Sequence, residues 1–248
     1  MEKKAKALLI NRMLRRGMIS NDMVLINEFA LDSFSRRADL VLVNSNIEIF
    51  EIKSDADNLL RLSGQVETFA RYCDKMHVVA ATRHINDILI STPHEVAVWE
   101  LDEAGNIKVV RKGKKKKLKD KESLIKLINL RELKQLLRNN GIKCGIQRRK
   151  HLEAAALKLS LLKVRTGVLT LLKDRYEYTT KRFLAKAIKV DSVKIEHLAE
   201  LKRTRTNLGQ QKNLTPTYNS DIFMSQMSMG SETCLFGNPP KDIVKLLQ

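Results

Sequence analysis

Apolar and polar residues follow two different periods along the chain. Up to about residue 112, short apolar runs of strand length alternate with amphipathic helical stretches. The predicted elements are a helix over 2–16, strands over 23–31, 38–43, 47–53 and 77–81, helices over 57–73 and 86–91, and a hairpin over 95–111. The two strands that flank Asn44-Ser45-Asn46 are almost continuously apolar, which predicts a sheet covered on both faces. The front of the chain is therefore predicted to be an α/β domain.

Beyond residue 112 the pattern is helical. Helices are predicted over 122–139, 150–163, 165–175, 180–190 and 192–202. From residue 204 onward Ser, Thr, Asn, Gln and Met dominate and the apolar positions lose their regularity. The sequence thus predicts three parts: an α/β domain over 1–112, an all-α region over 113–203 and a flexible C-terminal arm over 204–248.

Charge divides the chain at the same place. The whole sequence carries 46 Lys and Arg against 28 Asp and Glu, but residues 1–110 hold 14 against 16, whereas residues 111–248 hold 32 against 12. The run from Arg111 to Lys117 marks the join. An excess of this size repels itself and is offset best by phosphates, so DNA is the predicted partner. The lysines of the run itself have a second interpretation, as a solvated linker.

Several classes of protein are disfavoured. We find neither an apolar stretch long enough to cross a membrane nor a signal peptide, since the first apolar run spans only residues 7–10. Cys73, Cys144 and Cys234 have no metal-ligand or disulfide spacing, which is typical of a reducing, cytoplasmic location. Nucleotide-binding glycine loops and the serine-hydrolase motif are missing from the sequence as well.

One group of charged residues lies within the apolar strands. If Asn44-Ser45-Asn46 is a three-residue hairpin loop, Val43 pairs with Ile47 and Asp39 faces Glu51, with Lys53 one step further on the same side. Opposed carboxylates repel, and a divalent cation between them would explain their retention. Mg²⁺, or Mn²⁺ in its place, suits such oxygen ligands. The alternative is an edge strand whose charges face solvent.

These residues also carry a resemblance. The segments Arg37–Val43, Phe50–Ser54 and Asp57–Leu62, followed by Gln65, resemble the PD-(D/E)XK nuclease superfamily, and within it a bacterial and phage branch akin to the MmcB-type DNA-repair group. The resemblance covers roughly residues 20–100, and Ala38 replaces the proline of the superfamily's name. It implies a restriction-endonuclease-like core with a mixed central sheet and metal-dependent hydrolysis of DNA. It further implies a role for each site residue: Asp39, Glu51, the Ile52 carbonyl and Glu28 as metal ligands, Lys53 as the catalytic lysine, and Gln65 as a residue of the catalytic site.

A second candidate site lies in the basic half. The segment over about 130–163, a helix, an extended link and a second helix, is similar to SAP-type DNA-binding modules, although two helices with a basic connector are also common without that function. Its basic side chains are positioned to meet phosphates together with a helix N-terminus. The candidate nucleic-acid-binding residues are Lys143, Arg148, Arg149 and Lys150, with Arg61 on the front domain.

Three functions follow as hypotheses. The leading one is a Mg²⁺-dependent deoxyribonuclease. The second is a DNA-binding or partner-binding factor, in repair or in phage–host interaction, on a catalytically inactive nuclease scaffold. The third is a phage factor that reaches a host protein through Met224, Met227 and Met229 of the arm. The expected setting is the cytoplasm of a bacterium or of a phage-infected host, and relatives of this kind often form homo-oligomers.

Overall fold

Six strands form one mixed sheet whose spatial order follows the sequence, in a computed structural model of the chain. The strands are β1 (Val24–Leu31), β2 (Arg36–Val43), β3 (Ile47–Lys53), β4 (Lys75–Ala81), β5 (Ala97–Leu101) and β6 (Ile107–Arg111). Strands β1 to β3 are antiparallel, β4 and β5 continue parallel to β3, and β6 returns antiparallel. The structure describes residues 2–20, 22–31, 36–145, 148–188 and 192–202, all within one compact unit. The predicted α/β fold with a mixed sheet is confirmed.

The hairpin between β2 and β3 has the predicted register. Val43 pairs with Ile47, and the turn is held by the Asn44 side chain, which accepts a hydrogen bond from the Asn46 amide at 2.8 Å. Side chains of a strand alternate between the faces of the sheet. The register therefore directs Asp39, Glu51 and Lys53 to the same end of the sheet.

Helices cover the sheet on both faces, as the apolar strands predict. The helices are α1 (Glu2–Arg15), α2 (Leu62–Ala70), α3 (Ile85–Ser91), α4 (Lys121–Lys126), α5 (Leu130–Asn139), α6 (Arg149–Leu157) and α7 (Leu161–Ile188), with short 3₁₀ helices at Thr82–His84 and Ile195–Leu201. One apolar cluster joins the sheet to α2 through α6 and the first half of α7. The other joins the opposite face to α1, the end of α7 and Ile195–Leu201. Residues of the helical region beyond 113 thus belong to both apolar clusters together with residues of the strands.

Helix ends differ from prediction where a polar side chain competes with the helix. Helix α2 begins at Leu62 rather than at 57, because Asp57 accepts hydrogen bonds from the amide and hydroxyl of Ser54 and holds a turn there. The helix predicted over 122–139 is two helices, since Asn129 and Glu132 form a capping box that starts α5. Conversely, α7 is one helix of 28 residues where shorter pieces were predicted. The predicted helix over 192–202 is in part the 3₁₀ helix Ile195–Leu201.

Polar contacts of α7 also attach the helical region to the sheet. The Thr180 hydroxyl of α7 accepts from the Leu25 amide at 3.0 Å and donates to the Leu25 carbonyl at 3.2 Å, so it covers part of the open edge of β1. The Arg165 guanidinium lies 2.9 Å from the Asp74 carboxylate, and both side chains are buried. Asp74 also accepts from the amides of Ile47 and Leu118. The contacts of Asp74 therefore hold together α7, the start of β3 and the segment that leads into α4.

Two further predictions concern other parts of the chain. The arm over 204–248, with Met224, Met227 and Met229, lies outside the described residues. Within the described ranges, none of the helices is both long enough and apolar enough for a membrane span.

Candidate functional site

The last residues of β3 form a buried polar cluster with α2. Glu51 and Lys53 are 3 % and 7 % exposed. The Lys53 ammonium donates to Glu51 Oε1 at 2.8 Å and to Gln65 Oε1 at 2.9 Å. The Gln65 amide nitrogen in turn donates to Glu51 Oε1. The structure therefore brings together three of the residues singled out in the sequence, with Gln65 supplied from the first turn of α2.

Asp39 joins this cluster from β2. The ladder between β2 and β3 ends with the pair Leu40–Phe50, and the Asp39 carboxylate lies beyond it. There Asp39 Oδ2 accepts the Ile52 amide proton at 2.7 Å. The carboxylate thus replaces a backbone acceptor where the two strands separate. It stays close enough to Glu51 for the two charges to interact.

A second buried lysine completes the cluster. Lys6 of α1 is 1 % exposed, and its ammonium donates to Asn27 Oδ1 at 3.0 Å. It also lies 3.5 Å from the Glu2 carboxylate and 3.9 Å from that of Asp39. Our sequence reasoning missed Lys6 and Asn27. The available signal was that Lys6 falls on the apolar stripe of α1 together with Ile10 and Met13, where a lysine needs a buried partner.

Burial shifts the titration of both carboxyl groups. Desolvation, and then the charge of Glu51, raises the pKa of Asp39 from 3.8 to about 7, although the Ile52 hydrogen bond and Lys6 oppose the shift. Desolvation also raises the pKa of Glu51, against the lowering effect of Lys53 and Gln65. Glu51 Oε2 is buried and has no hydrogen-bond partner among the described residues. Glu51 Oε2 can therefore bind a proton or a cation, or accept a further hydrogen bond.

Glu28 lies outside this group. Its carboxylate pairs with Arg37 at 3.1 Å, and its backbone has a φ of +56° in the left-handed region. In the part of the chain that the structure describes, no group of three or more His, Cys, Asp or Glu side chains is arranged to hold a metal ion. A metal at the cluster would thus have the two carboxylates Asp39 and Glu51, with the Ile52 carbonyl as the predicted third ligand. The catalytic roles assigned to Lys53 and Gln65 stay predictions.

Three basic candidates of the second site, Arg148, Arg149 and Lys150, lie at the start of α6, and the fourth, Lys143, lies in the segment that follows α5. Lys143, Arg148 and Lys150 are exposed, and α6 begins at Arg149 without a side-chain cap. The Arg149 guanidinium is engaged within the fold, since it donates to Glu153 at 2.6 Å and to the Ile125 carbonyl at 3.3 Å. Three of the four predicted side chains are therefore exposed, and two of them, Arg148 and Lys150, lie at the N-terminus of α6. Arg61 is also exposed and precedes α2.

Comparison with known proteins places the chain in a family. The family model for Bacteriophage P4 protein cII matches residues 1–202. Protein cII of Enterobacteria phage P4 is 34 % identical over 208 residues, which cover 82 % of this chain and 78 % of that protein. The search of solved structures gives no match. The expected membership of the PD-(D/E)XK nuclease superfamily, and the nuclease, hydrolase and repair function that it implied, are therefore wrong, because the match spans both the sheet and the helical region. The chain belongs to the Bacteriophage P4 protein cII family.

Proposed function

We propose that the chain is a DNA-binding protein that contacts the phosphate backbone through its helical half, in the cytoplasm of a phage-infected bacterium. The observation that carries the proposal is the charge on the surface between residue 111 and residue 202. A surface of one sign attracts a polyanion and releases its counterions on binding.

The excess lies on the outside of the fold. The exposed basic residues of this region are Lys112, Lys114, Lys115, Lys116, Lys117, Lys119, Lys126, Arg131, Arg138, Lys143, Arg148, Lys150, Lys158, Lys163, Lys186, Lys194 and Lys202. The exposed acids of the same described region are Asp120, Glu122, Asp174, Glu177 and Glu196. Basic side chains that pair internally, such as Arg165 and Arg175, do not contribute to this surface. Even with Lys115 and Lys186 paired to Glu48 and Glu200, the exposed side chains give this region a strongly cationic surface.

We propose that the protein contacts the phosphate backbone of DNA at the start of α6. Helices α5 and α6 pack against each other, and Leu133 and Leu152 belong to the same apolar cluster. Exposed cations beside helix amides that have no side-chain cap suit a phosphate group. Contacts of this kind position a protein on DNA without reading the base sequence.

We also propose a divalent cation, Mg²⁺ or Mn²⁺, at the buried cluster. The donor set fits a hard ion: two carboxylates with raised pKa values and one buried, unpaired oxygen of Glu51. A bound ion would remove the repulsion between Asp39 and Glu51 and would hold both as carboxylates. The lysines on either side, Lys6 and Lys53, limit the positive charge that the cluster can accept, so we expect weak binding.

The finer description of the core as restriction-endonuclease-like belongs to the same proposal. It is supported by the mixed sheet and by the cluster at the end of β3. A shared architecture carries no function by itself, and we infer none from it.

DNA binding is tested by fluorescence anisotropy with a labelled duplex at several salt concentrations. The variant Lys143→Gln/Arg148→Gln/Lys150→Gln removes three exposed charges, two at the start of α6 and one in the segment after α5. We expect it to bind at least tenfold more weakly and to lose roughly two to three from the slope of log affinity against log salt, about 0.9 per phosphate contact.

A matched control removes the same charge elsewhere. Lys3, Lys4 and Lys108 are exposed residues of α1 and β6, and their triple substitution to Gln should change affinity far less. Equal losses in both triple variants would show attraction by net charge alone and would contradict a contact at α6. Wild-type protein that fails to bind duplex DNA at low salt would contradict the proposed function itself.

The cation is tested separately by thermal unfolding in Mg²⁺ against KCl of equal ionic strength. A ligand at 100 times its dissociation constant stabilises the folded state by about 2.7 kcal/mol. Asp39→Asn should abolish the Mg²⁺-dependent part, whereas Glu28→Gln should retain it, since Glu28 pairs with Arg37. Stabilisation by Mg²⁺ that survives Asp39→Asn would place the ion elsewhere.

A further inference from the structure

A cavity of about 580 Å³ opens where β4 and β5 begin. It lies at the opposite end of the parallel strands from the Asp39–Glu51 cluster, because that cluster is at the end of β3. Its walls come from the end of α2, the first residues of β4, the start of β5 and the segment 114–120 that leads into α4. Cavities of this size accept small organic ligands and exclude a DNA duplex.

The floor of the cavity is apolar. It is formed by Cys73, Met76, Val96 and Leu118, all buried within the same apolar cluster. Surface of this kind gains free energy by contact with a flat apolar group and gains none from a hydrated inorganic ion. The floor therefore favours a ligand with an organic body.

The rim of the cavity is cationic. Five lysines line it: Lys75, Lys114, Lys116, Lys117 and Lys119. Lysine is a point charge that binds phosphate groups readily. Lys114, Lys116 and Lys117, which the sequence also allowed as part of a solvated linker, thus line a cavity.

The backbone of this run is fixed to the sheet. The Lys114 amide donates to the Glu95 carbonyl at 2.8 Å, and the Lys116 amide donates to the Asp74 carbonyl at 2.8 Å. The Leu118 amide donates to the Asp74 carboxylate at 2.6 Å. The backbone amides of Lys114, Lys116 and Leu118 are therefore hydrogen-bonded to the rest of the fold, so the backbone of this segment is already ordered without a ligand. Less ordering is then required on binding.

Acidic residues at the cavity are mostly engaged within the fold. Asp74 is paired with Arg165, and Asp120 accepts from the first turn of α4 as its N-cap. Glu95 remains exposed, near enough to Arg111 for the two charges to interact. The lysines thus outweigh the available negative charge.

We propose that this cavity binds a nucleoside polyphosphate, with the base against the apolar floor and the phosphates among the lysines of the rim. The lysines come from an extended segment rather than a glycine-rich loop, which explains why the nucleotide motifs are missing from the sequence. The lining of the cavity shares no residue with the proposed DNA contact at α6 or with the cation cluster, although four of its lysines belong to the same cationic surface.

Isothermal titration calorimetry of the full chain tests this with ATP, adenosine and inorganic tripolyphosphate as separate probes. We expect ATP to bind at least tenfold more tightly than either part. Lys114→Gln/Lys116→Gln should weaken ATP binding at least tenfold. Lys112→Gln/Lys115→Gln, which removes the same charge from exposed residues that do not line the cavity, should change it by less than threefold.

Each other outcome contradicts the proposal. Tripolyphosphate binding as tightly as ATP would mean that the floor takes no part. Equal losses in the two double variants would indicate unspecific attraction by the lysine run. A short single-stranded DNA end that binds more tightly than ATP, and is displaced from the same lysines, would assign the cavity to nucleic acid instead. If ATP at millimolar concentration gives no heat of binding, the proposal is wrong.

Discussion

Asp39→Asn should make the protein more stable at pH 8 and should remove a pH dependence that the wild type shows. In the folded protein the pKa of Asp39 is raised from 3.8 to about 7, first by burial and then by the charge of Glu51. The folded state therefore holds a proton that the unfolded state releases between these values. Stability is then highest at low pH within this window and falls as the pH rises through it.

The magnitude follows from the shift. A difference of about three pKa units corresponds to roughly 4 kcal/mol, lost progressively between about pH 4 and pH 7 and constant above that. Glu51, whose pKa is also raised, adds to the loss in the same direction. Asparagine keeps an oxygen that can accept the Ile52 amide proton, and it gives up only the attraction to Lys6 over 3.9 Å. Glu2 also faces the pair and favours the neutral side chain.

The assay is urea unfolding of both proteins at pH 5, 6, 7 and 8 in EDTA, followed by circular dichroism. The stability of the wild type relative to Asp39→Asn should fall with rising pH up to about pH 7, and Asp39→Asn should be the more stable protein at pH 8. Glu103→Gln, at an exposed turn, should leave the pH dependence unchanged. A difference between wild type and Asp39→Asn that is flat from pH 5 to pH 8 would refute the argument, since Asp39 would then titrate near its ordinary value.

Three further substitutions test the joints of the fold by the same unfolding assay. Asp74→Ala should cost about 3–5 kcal/mol, because it leaves the buried Arg165 guanidinium unpaired, and a cost below 1 kcal/mol would contradict the pairing. Gly113→Ala should cost clearly more than Gly141→Ala: both have positive φ, but only at Gly113 would the new Cβ lie 2.5 Å from the backbone of β5, so equal costs would contradict that close approach. Thr180→Val should cost about 1–3 kcal/mol, since it leaves a buried amide and carbonyl of β1 without their partner, and no loss would show that water replaces it.

The sequence was sufficient for the sheet because its signals are local. The Asn44-Ser45-Asn46 turn and the alternation of β2 and β3 determine a register in which Asp39 and Glu51 must approach each other, and the structure has that register. The same alternation placed Lys53 beside Glu51. Turn chemistry and a period of two residues need no knowledge of distant parts of the chain.

Contacts between distant residues were beyond such reasoning. Lys6 reaches the cluster from α1, 33 positions before Asp39, and nothing near it in the sequence names its partner. The lysine run looks like a solvated linker until the Asp74 carbonyl and carboxylate are seen to hold its backbone. Helix α7 was predicted as separate helices over 165–175 and 180–190, yet it is continuous, and Gly167 within it packs closely against Leu136. Tertiary contacts outweigh local propensity in each case.

The family resemblance failed for a related reason. A Glu-x-Lys strand paired with an Asp-bearing strand is a short pattern, and it describes a local geometry rather than an ancestry. The geometry exists in this chain, as the contacts of Glu51 and Lys53 demonstrate. Membership of the cII family nevertheless rests on a match over residues 1–202. A correct local arrangement therefore did not license the function that the resemblance implied.

Amide hydrogen exchange of the full chain, with and without a saturating DNA duplex at low salt, tests the central claim most directly. If the helical region contacts the DNA phosphate backbone at the start of α6, the amides of residues 143–145 and 149–152 should exchange more slowly in the complex. The exchange rates of the amides in α1 and β6 should not change. Protection that is confined to α1 or β6, or that is missing although the DNA is bound, would contradict the placement of DNA on this surface.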